Sequence, residues 1–247
     1  MQYFNKFPRV FYVFGDQEAQ GTGKTSTELV QDISSYSDVL DRISDNIAFH
    51  TFYDIQAGNR PDQCSYDIYG SPIYHWTFFL LNDHLRSQGW PLTNEEIEKK
   101  VKGDFPHFTY TTKDSLTNTH KVGETVVGSQ TGSRGTVLRR NLDIGQVTVA
   151  SQGPFAVGEA ITNVSSAITT QTVTATGASA EHLSAHHYEQ NGEIVDIDPA
   201  VGPGALLTEV THIDRYVKEN NALKHIKVVK PDLMNQVVAL FKQAINS

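Results

Sequence analysis

Hydrophobic and polar positions follow two different periods along this chain. Ile47, Phe49, Thr51, Tyr53 and Ile55 fall on one side of an alternating run, which predicts a strand. Leu29, Val30, Ile33, Tyr36 and Leu40 recur at roughly helical spacing and predict a helix over residues 27–40. Pro61 can open a helix at its first position, and Tyr66, Ile68 and Tyr69 lead to Gly70, a plausible terminator. Ser71 then suits an N-cap and Pro72 the first position of a second helix through Leu81, with Ile73, Trp76, Phe79 and Leu80 on one face and Asn82-Asp83 at its end. Asn94 to Glu98 start a short helix with acidic residues first, and residues 105–111 resume as strand. Residues 185–195 read as a hairpin around Asn191-Gly192, the favoured type I′ pair. A Pro/Gly break over 198–204, a helix over 211–221 and a strand at Ile226, Val228 and Val229 follow. The chain closes on an amphipathic helix over 231–245, with Leu233, Val237, Leu240, Phe241 and Ile245 on one face.

The middle of the chain has a different texture. Val122-Gly123-Glu124-Thr125-Val126 recurs 35 residues later as Val157-Gly158-Glu159-Ala160-Ile161. Each copy precedes a Gly/Ser/Thr turn and then a β-branched run, Thr136-Val137-Leu138 and Thr172-Val173-Thr174. Residues 144–149 alternate as a strand does. Short strands between glycine turns predict a small antiparallel barrel or sandwich.

Charge and composition draw the same divisions. Residues 1–118 hold 10 basic and 16 acidic side chains, residues 119–180 hold 4 and 3, and residues 181–247 hold 6 and 9. The middle segment has 11 Thr, 6 Ser and 8 Gly but a single aromatic, Phe155. This shift predicts a β domain over 119–180 inserted between an N-terminal part, 1–118, and a C-terminal part, 181–247. The net charge of −8 argues against a nucleic-acid binder, which needs a basic stripe. The lone Cys64 excludes an intrachain disulfide and a Cys-built zinc site. No run approaches the ~18 apolar residues of a membrane span. These features predict a soluble chain, made and folded in a reducing cytoplasm.

Candidate chemistry is thin. Gly21-Thr22-Gly23-Lys24-Thr25-Ser26 imitates the end of a phosphate-binding loop, but acidic Glu18 stands where the loop needs its first glycine. It reads as a polar loop. His182 and His186 are four apart, yet His186 and His187 lie in the predicted hairpin and would point to opposite sides, so no metal is expected. Glu95, Glu96 and Glu98 suit the first turn of a helix better than an acid/base pair across a cleft. Cys64 lacks a histidine partner. Neither catalytic residues nor a cofactor are expected.

One constellation stands out: Ile68-Tyr69-Gly70-Ser71-Pro72, then Trp76, then Asn82-Asp83. It resembles the hallmark of baseplate wedge proteins of contractile-tailed bacteriophages, the gene fifty-three product family. It is also similar to the small βααβ module of the LysM type. Phe7-Pro8, Tyr12 and Phe14-Gly15 near the start resemble the family's opening, and Tyr188 to Gly192 with Glu219 to Leu233 resemble its ending. The resemblance covers about residues 1–110 and 181–247.

The resemblance implies an α+β protein with a LysM-like module and the C-terminal helix; residues 119–180 depart from it, and the antiparallel β-barrel or sandwich expected there rests on composition and repeats alone. The resemblance further implies a non-enzymatic structural part of the tail baseplate in the virion, made in the host bacterial cytoplasm. Such a part is present in multiple copies, holds neighbouring wedges together around the central hub, and has other wedge and hub proteins as partners, with no nucleic acid or membrane. Tyr69, Gly70, Pro72, Trp76 and Asn82 are its motif residues. Leu233, Val237, Phe241 and Ile245 would pack on their own domain or on a partner. The competing readings are a LysM-type binder of peptidoglycan or chitin and a tail-associated wall hydrolase.

Overall fold

A computed structural model of the chain describes residues 9–14, 26–31, 49–165 and 171–245. The described residues form helices and antiparallel sheets, an α+β protein. They belong to two compact units, residues 1–92 with 220–247, and residues 93–219.

The first unit is built on a two-stranded antiparallel sheet of β3 (His50–Asp54) and β14 (His225–Val229). Between them in the chain come α1 (Pro61–Tyr69), a 3-10 turn (Pro72–Tyr74), α2 (Trp76–Leu81) and α3 (Asp83–Gln88). A second 3-10 turn (Pro231–Leu233) leads into α6 (Met234–Ile245). Ile55, Cys64, Phe78, Leu85, Ile226 and Val228 form one core cluster, and Trp76, Leu80, Leu81, Val229, Val237 and Phe241 form another. A separate hairpin pairs β1 (Arg9–Phe14) with β2 (Ser26–Gln31).

Two expectations change here. Residues 27–31 are strand, not helix, because they pair with β1 residue by residue; Leu29 and Val30 fit either period alone. The predicted helix from Ser71 is split, and the 3-10 turn shifts its phase, so Phe78 is buried while Ile73 is exposed. Ser71 makes no side-chain cap; its carbonyl instead accepts from Ser65 Oγ at 2.6 Å. The remainder of the 27–40 helix, the 21–25 loop and the Phe7-Pro8 and Gly15 positions lie outside the described residues.

In the second unit, α4 (Asn94–Asp104) is capped by Thr93 and Glu96, which exchange hydrogen bonds at its start. A seven-stranded antiparallel sheet follows, in the order β10-β4-β7-β6-β5-β8-β9. Its strands are β4 (Phe108–Thr111), β5 (Thr125–Gly128), β6 (Arg134–Asn141), β7 (Gln146–Ser151), β8 (Ala160–Asn163), β9 (Thr172–Thr174) and β10 (Gly177–Ala180). The sheet therefore reaches past residue 119 on its N-terminal side, and the compact unit is wider than the Thr/Gly-rich segment. One side of the sheet buries Tyr110, Val126, Val137, Val147, Val149, Ile161 and Val173 around Phe155. Residues 172–180 supply both end strands of this order: β9 pairs with β8, Thr176 N–H donates to Thr111 O at 2.7 Å, and β10 pairs with β4.

The sequence repeat is a structural repeat. Gly123 and Gly158 have φ of +90° and +85°, and their N–H groups donate to Val137 O and Ala175 O. Glu124 and Glu159 each accept from the backbone N–H three residues earlier, of Lys121 and Ala156. In the second copy the carboxylate is fully buried and also accepts from the N–H groups of Gln130 and Thr131 and from the Thr131 hydroxyl. Gly128 makes room for it, since a Cβ there would lie 2.6 Å from Glu159 Oε2. Burial alone would raise the Glu159 pKa, but these donors outweigh it and hold the group below its ordinary value.

A three-stranded sheet, β12-β11-β13, and α5 complete the chain: β11 (Ala185–Gln190), β12 (Glu193–Val195), β13 (Thr208–Thr211) and α5 (His212–Ala222). Asn191 and Gly192 both take positive φ in the β11–β12 turn, as type I′ requires.

Gly128→Ala should lower stability by about 1–3 kcal/mol, the range for overpacking, read by urea unfolding at neutral pH. Glu159→Gln should cost about 1–3 kcal/mol as N–H donors lose their charged acceptor. A depressed carboxylate stabilises the fold above its ordinary pKa and loses that effect as pH falls through the folded value. The gap between wild type and Glu159→Gln should therefore close in acid below about pH 4.

Candidate functional site

The motif residues converge on the C-terminal strand and helix. Gly70 ends α1 with φ +66°, a left-handed position that a side chain would strain, and its N–H donates to Tyr66 O at 2.8 Å. The chain then turns into Pro72, whose missing N–H is no loss at the start of the 3-10 turn. This geometry sends Trp76 inward, where its ring lies 4.5 Å from that of Phe241 on α6. The Tyr69 ring lies near those of Tyr74 and Phe78, and its hydroxyl donates to Val229 O at 3.0 Å.

Asn82 makes the most directed contact. Its Nδ2 donates to Phe78 O and to Lys227 O, both at 2.8 Å, while its Oδ1 accepts from Lys227 N–H at 2.8 Å. One buried amide thus ends α2 and grips β14. Ile55 N–H bonds to Lys224 O and Lys230 N–H to Phe49 O, so even-numbered residues of β14 face β3 and odd-numbered ones face outward. Lys227 and Val229 are the outward-facing positions that Asn82 and Tyr69 occupy. Two motif residues therefore cover the free edge of β14.

Of the four helix residues proposed for self-packing or a partner, Val237 and Phe241 are fully buried in their own unit and Leu233 packs against the same cluster. Their side chains hold α6 to Trp76 and β14 rather than face a neighbour. The Ile245 side chain lies outside the described residues.

Exposed aromatics lie elsewhere. Phe11 on β1 is 76% exposed, and its cross-strand partner Leu29 is exposed too. Phe52 on β3 stacks on His225 at 4.9 Å, and His225 Nδ1 lies 2.7 Å from Asp54 Oδ1. Tyr66 stands in the open beside a shallow pocket of about 320 Å³ lined by Asn59, Asp62, Gln63, Asp67 and Pro72. The sequence pattern places Leu29 and Tyr66 in helices and does not mark any of these residues as exposed, because exposure leaves no periodic trace.

The other candidates have structural neighbours. Glu96 belongs to the Thr93 cap and Glu98 bonds to Lys102. Cys64 is fully buried, and burial first, then the Asp67 charge, pushes its thiol up to about 11. His182 sits in a 3-10 turn (Glu181–Leu183), while His186 and His187 meet each other on β11. Among the described residues no group of three or more His, Cys, Asp or Glu is placed to hold a metal ion. No described helix is long and apolar enough to cross a membrane.

Residues 7–104 match the family model of base plate wedge protein 53. The match bears out the baseplate wedge resemblance over the stretch that holds Tyr69, Gly70, Pro72, Trp76 and Asn82. It supports a structural baseplate role, in the company of other baseplate components. The C-terminal segment that these wedge-family residues grip lies beyond the matched stretch. No curated protein matches the chain.

Asn82→Ala should leave Lys227 N–H and C=O without partners and cost about 2–6 kcal/mol, at about 1–3 for each buried group. Trp76→Ala should cost about 3–5 kcal/mol by opening a core cavity. Thermal unfolding of the two variants measures both losses; an unchanged midpoint for Asn82→Ala would refute the clamp.

Proposed function

We propose that the protein is a structural component of the baseplate wedge of a contractile phage tail, and that it joins neighbouring wedges around the central hub. The family match over residues 7–104 carries this reading. It involves no catalytic step or cofactor, and its partners are other wedge and hub proteins in a symmetric, multi-copy baseplate.

Two features of the fold support the finer parts. Within the first unit β3, α1, α2, the short α3 and β14 follow in that order, with the strands antiparallel, which supports a LysM-like βααβ module, extended by α3 and completed by the C-terminal segment. One short segment, residues 172–180, supplies both end strands, which supports reading the seven-stranded sheet as a small closed barrel. In this reading the barrel and its flanking elements are the module inserted into the wedge-protein core.

The joining surface is the β1–β2 hairpin. A two-stranded hairpin alone is marginal in water. This one shows Phe11 and Leu29 on one face and Val10 on the other, a pattern of strands meant to be covered on both sides. A neighbouring wedge chain with an apolar face and an open sheet edge is the cover that fits.

Phe11→Asp should leave thermal stability within about 0.5 kcal/mol of wild type, as exposed substitutions do, while wedge-to-wedge association of purified wedges is lost in electron micrographs. Normal baseplates with this variant would sink the hairpin's part. Density for the chain away from the baseplate in an intact tail would sink the whole reading.

The open Tyr66 ring among Asn59, Asp62, Gln63 and Asp67 favours one second reading, a glycan-binding module. Co-sedimentation with purified cell wall that Tyr66→Ala abolishes would favour it.

A further inference from the structure

A closed circuit of hydrogen bonds joins β11 to α5 within the second unit. Arg215 on α5 lies with Nη1 2.9 Å from Nε2 of His186. A guanidinium only donates, so that Nε2 carries no proton. Neutral His186 then holds its proton on Nδ1, which lies 2.8 Å from Nδ1 of His187. His187 accepts there, keeps its own proton on Nε2, and donates it to Glu189 Oε1 at 3.0 Å. Glu189 also accepts from Lys218 Nζ at 3.2 Å. The circuit starts and ends on α5, at residues three apart, and its three middle members are all on β11.

Each link fixes the next, so the circuit tolerates one pattern of protons. A proton on His186 Nε2 would face the N–H of Arg215. A proton on His187 Nδ1 would face the N–H of His186. We propose that the circuit is a proton-operated latch, which ties β11 to α5 while both imidazoles are neutral and releases them when either is charged.

The surroundings favour the neutral form. The His212 ring packs edge-on to His186 at 5.3 Å and stacks on Phe105 at 4.1 Å, with its Nδ1 buried. The Arg139 guanidinium lies over Phe105 and pairs with buried Glu181. Arg215 also pairs with Glu219 at 3.1 Å. Asp214 is taken up by Thr211 at the start of α5, Glu209 lies opposite Tyr188, and Tyr216 bonds to Asp104 beneath Lys100. Burial first, then Arg215 and His187, hold His186 below the ordinary value of 6.5. Burial first, then His186, Arg139 and Arg215, bring His212 down to about 4. His186 and His212 bind fewer protons folded than unfolded. Their support is complete above the ordinary imidazole value and is lost as pH falls below it.

Nitrogen-15 spectra of the histidines in the full chain near pH 7.5 should show His186 as the Nδ1–H tautomer and His187 as the Nε2–H tautomer. Amide exchange, corrected for intrinsic rate and taken relative to β6 and β7, should quicken in β11 and α5 between about pH 7.5 and about pH 5.5. His187→Leu should leave these amides fast at both pH values and abolish the step. Nε2–H tautomers on both histidines, an exchange ratio that does not change with pH, or an undiminished step in His187→Leu would each overturn the latch. The tautomers are read on the wild-type chain, so the result stands even where the variant fails to fold.

Discussion

The first unit depends on one long-range pairing. β14 must cross to β3 from a position 171 residues further along the chain, as the His225–Asp54 contact measures. Loop-closure entropy opposes such a pairing, and two five-residue strands hardly offset it. Asn82 and Tyr69 offset the rest by meeting the outward N–H and C=O of Lys227 and the outward C=O of Val229 from the helical side. Val229 and α6 then have a surface to bury against, and Trp76 closes on Phe241. Strand, helix ends and final helix form one interdependent set.

The residues that stand out in the sequence are thus residues of this core. Gly70 and Pro72 bend the chain, Trp76 fills the space the bend opens, and Tyr69 and Asn82 carry the hydrogen bonds on either side of it. The motif is a means of holding a distant strand, with no reactive group in it. Phe11 on the hairpin and Tyr66 on α1 stay exposed outside these contacts.

Much of this was legible in the sequence. The Gly70 stop, the Asn191-Gly192 turn, the final helix and the Val-Gly-Glu repeat each rest on a local rule, and the structure follows them. Local rules fail where a partner decides. Leu29 and Val30 suit a helix by spacing but are held in a strand by Phe11 and Val10. The phase of residues 72–81 turns on a 3-10 turn that spacing does not encode. The Arg215–His186–His187–Glu189 circuit is invisible because β11 and α5 meet only in space.

Asn220 adds one last consequence. Its side chain accepts from Leu92 N–H at 2.7 Å and donates to Leu92 O at 3.1 Å, and Leu92 and Asn220 are where the first unit's two segments break off. Both break points therefore lie within reach of one amide, and the loop-closure cost of bringing residue 220 back to residue 92 is met at a single side chain inside the first unit.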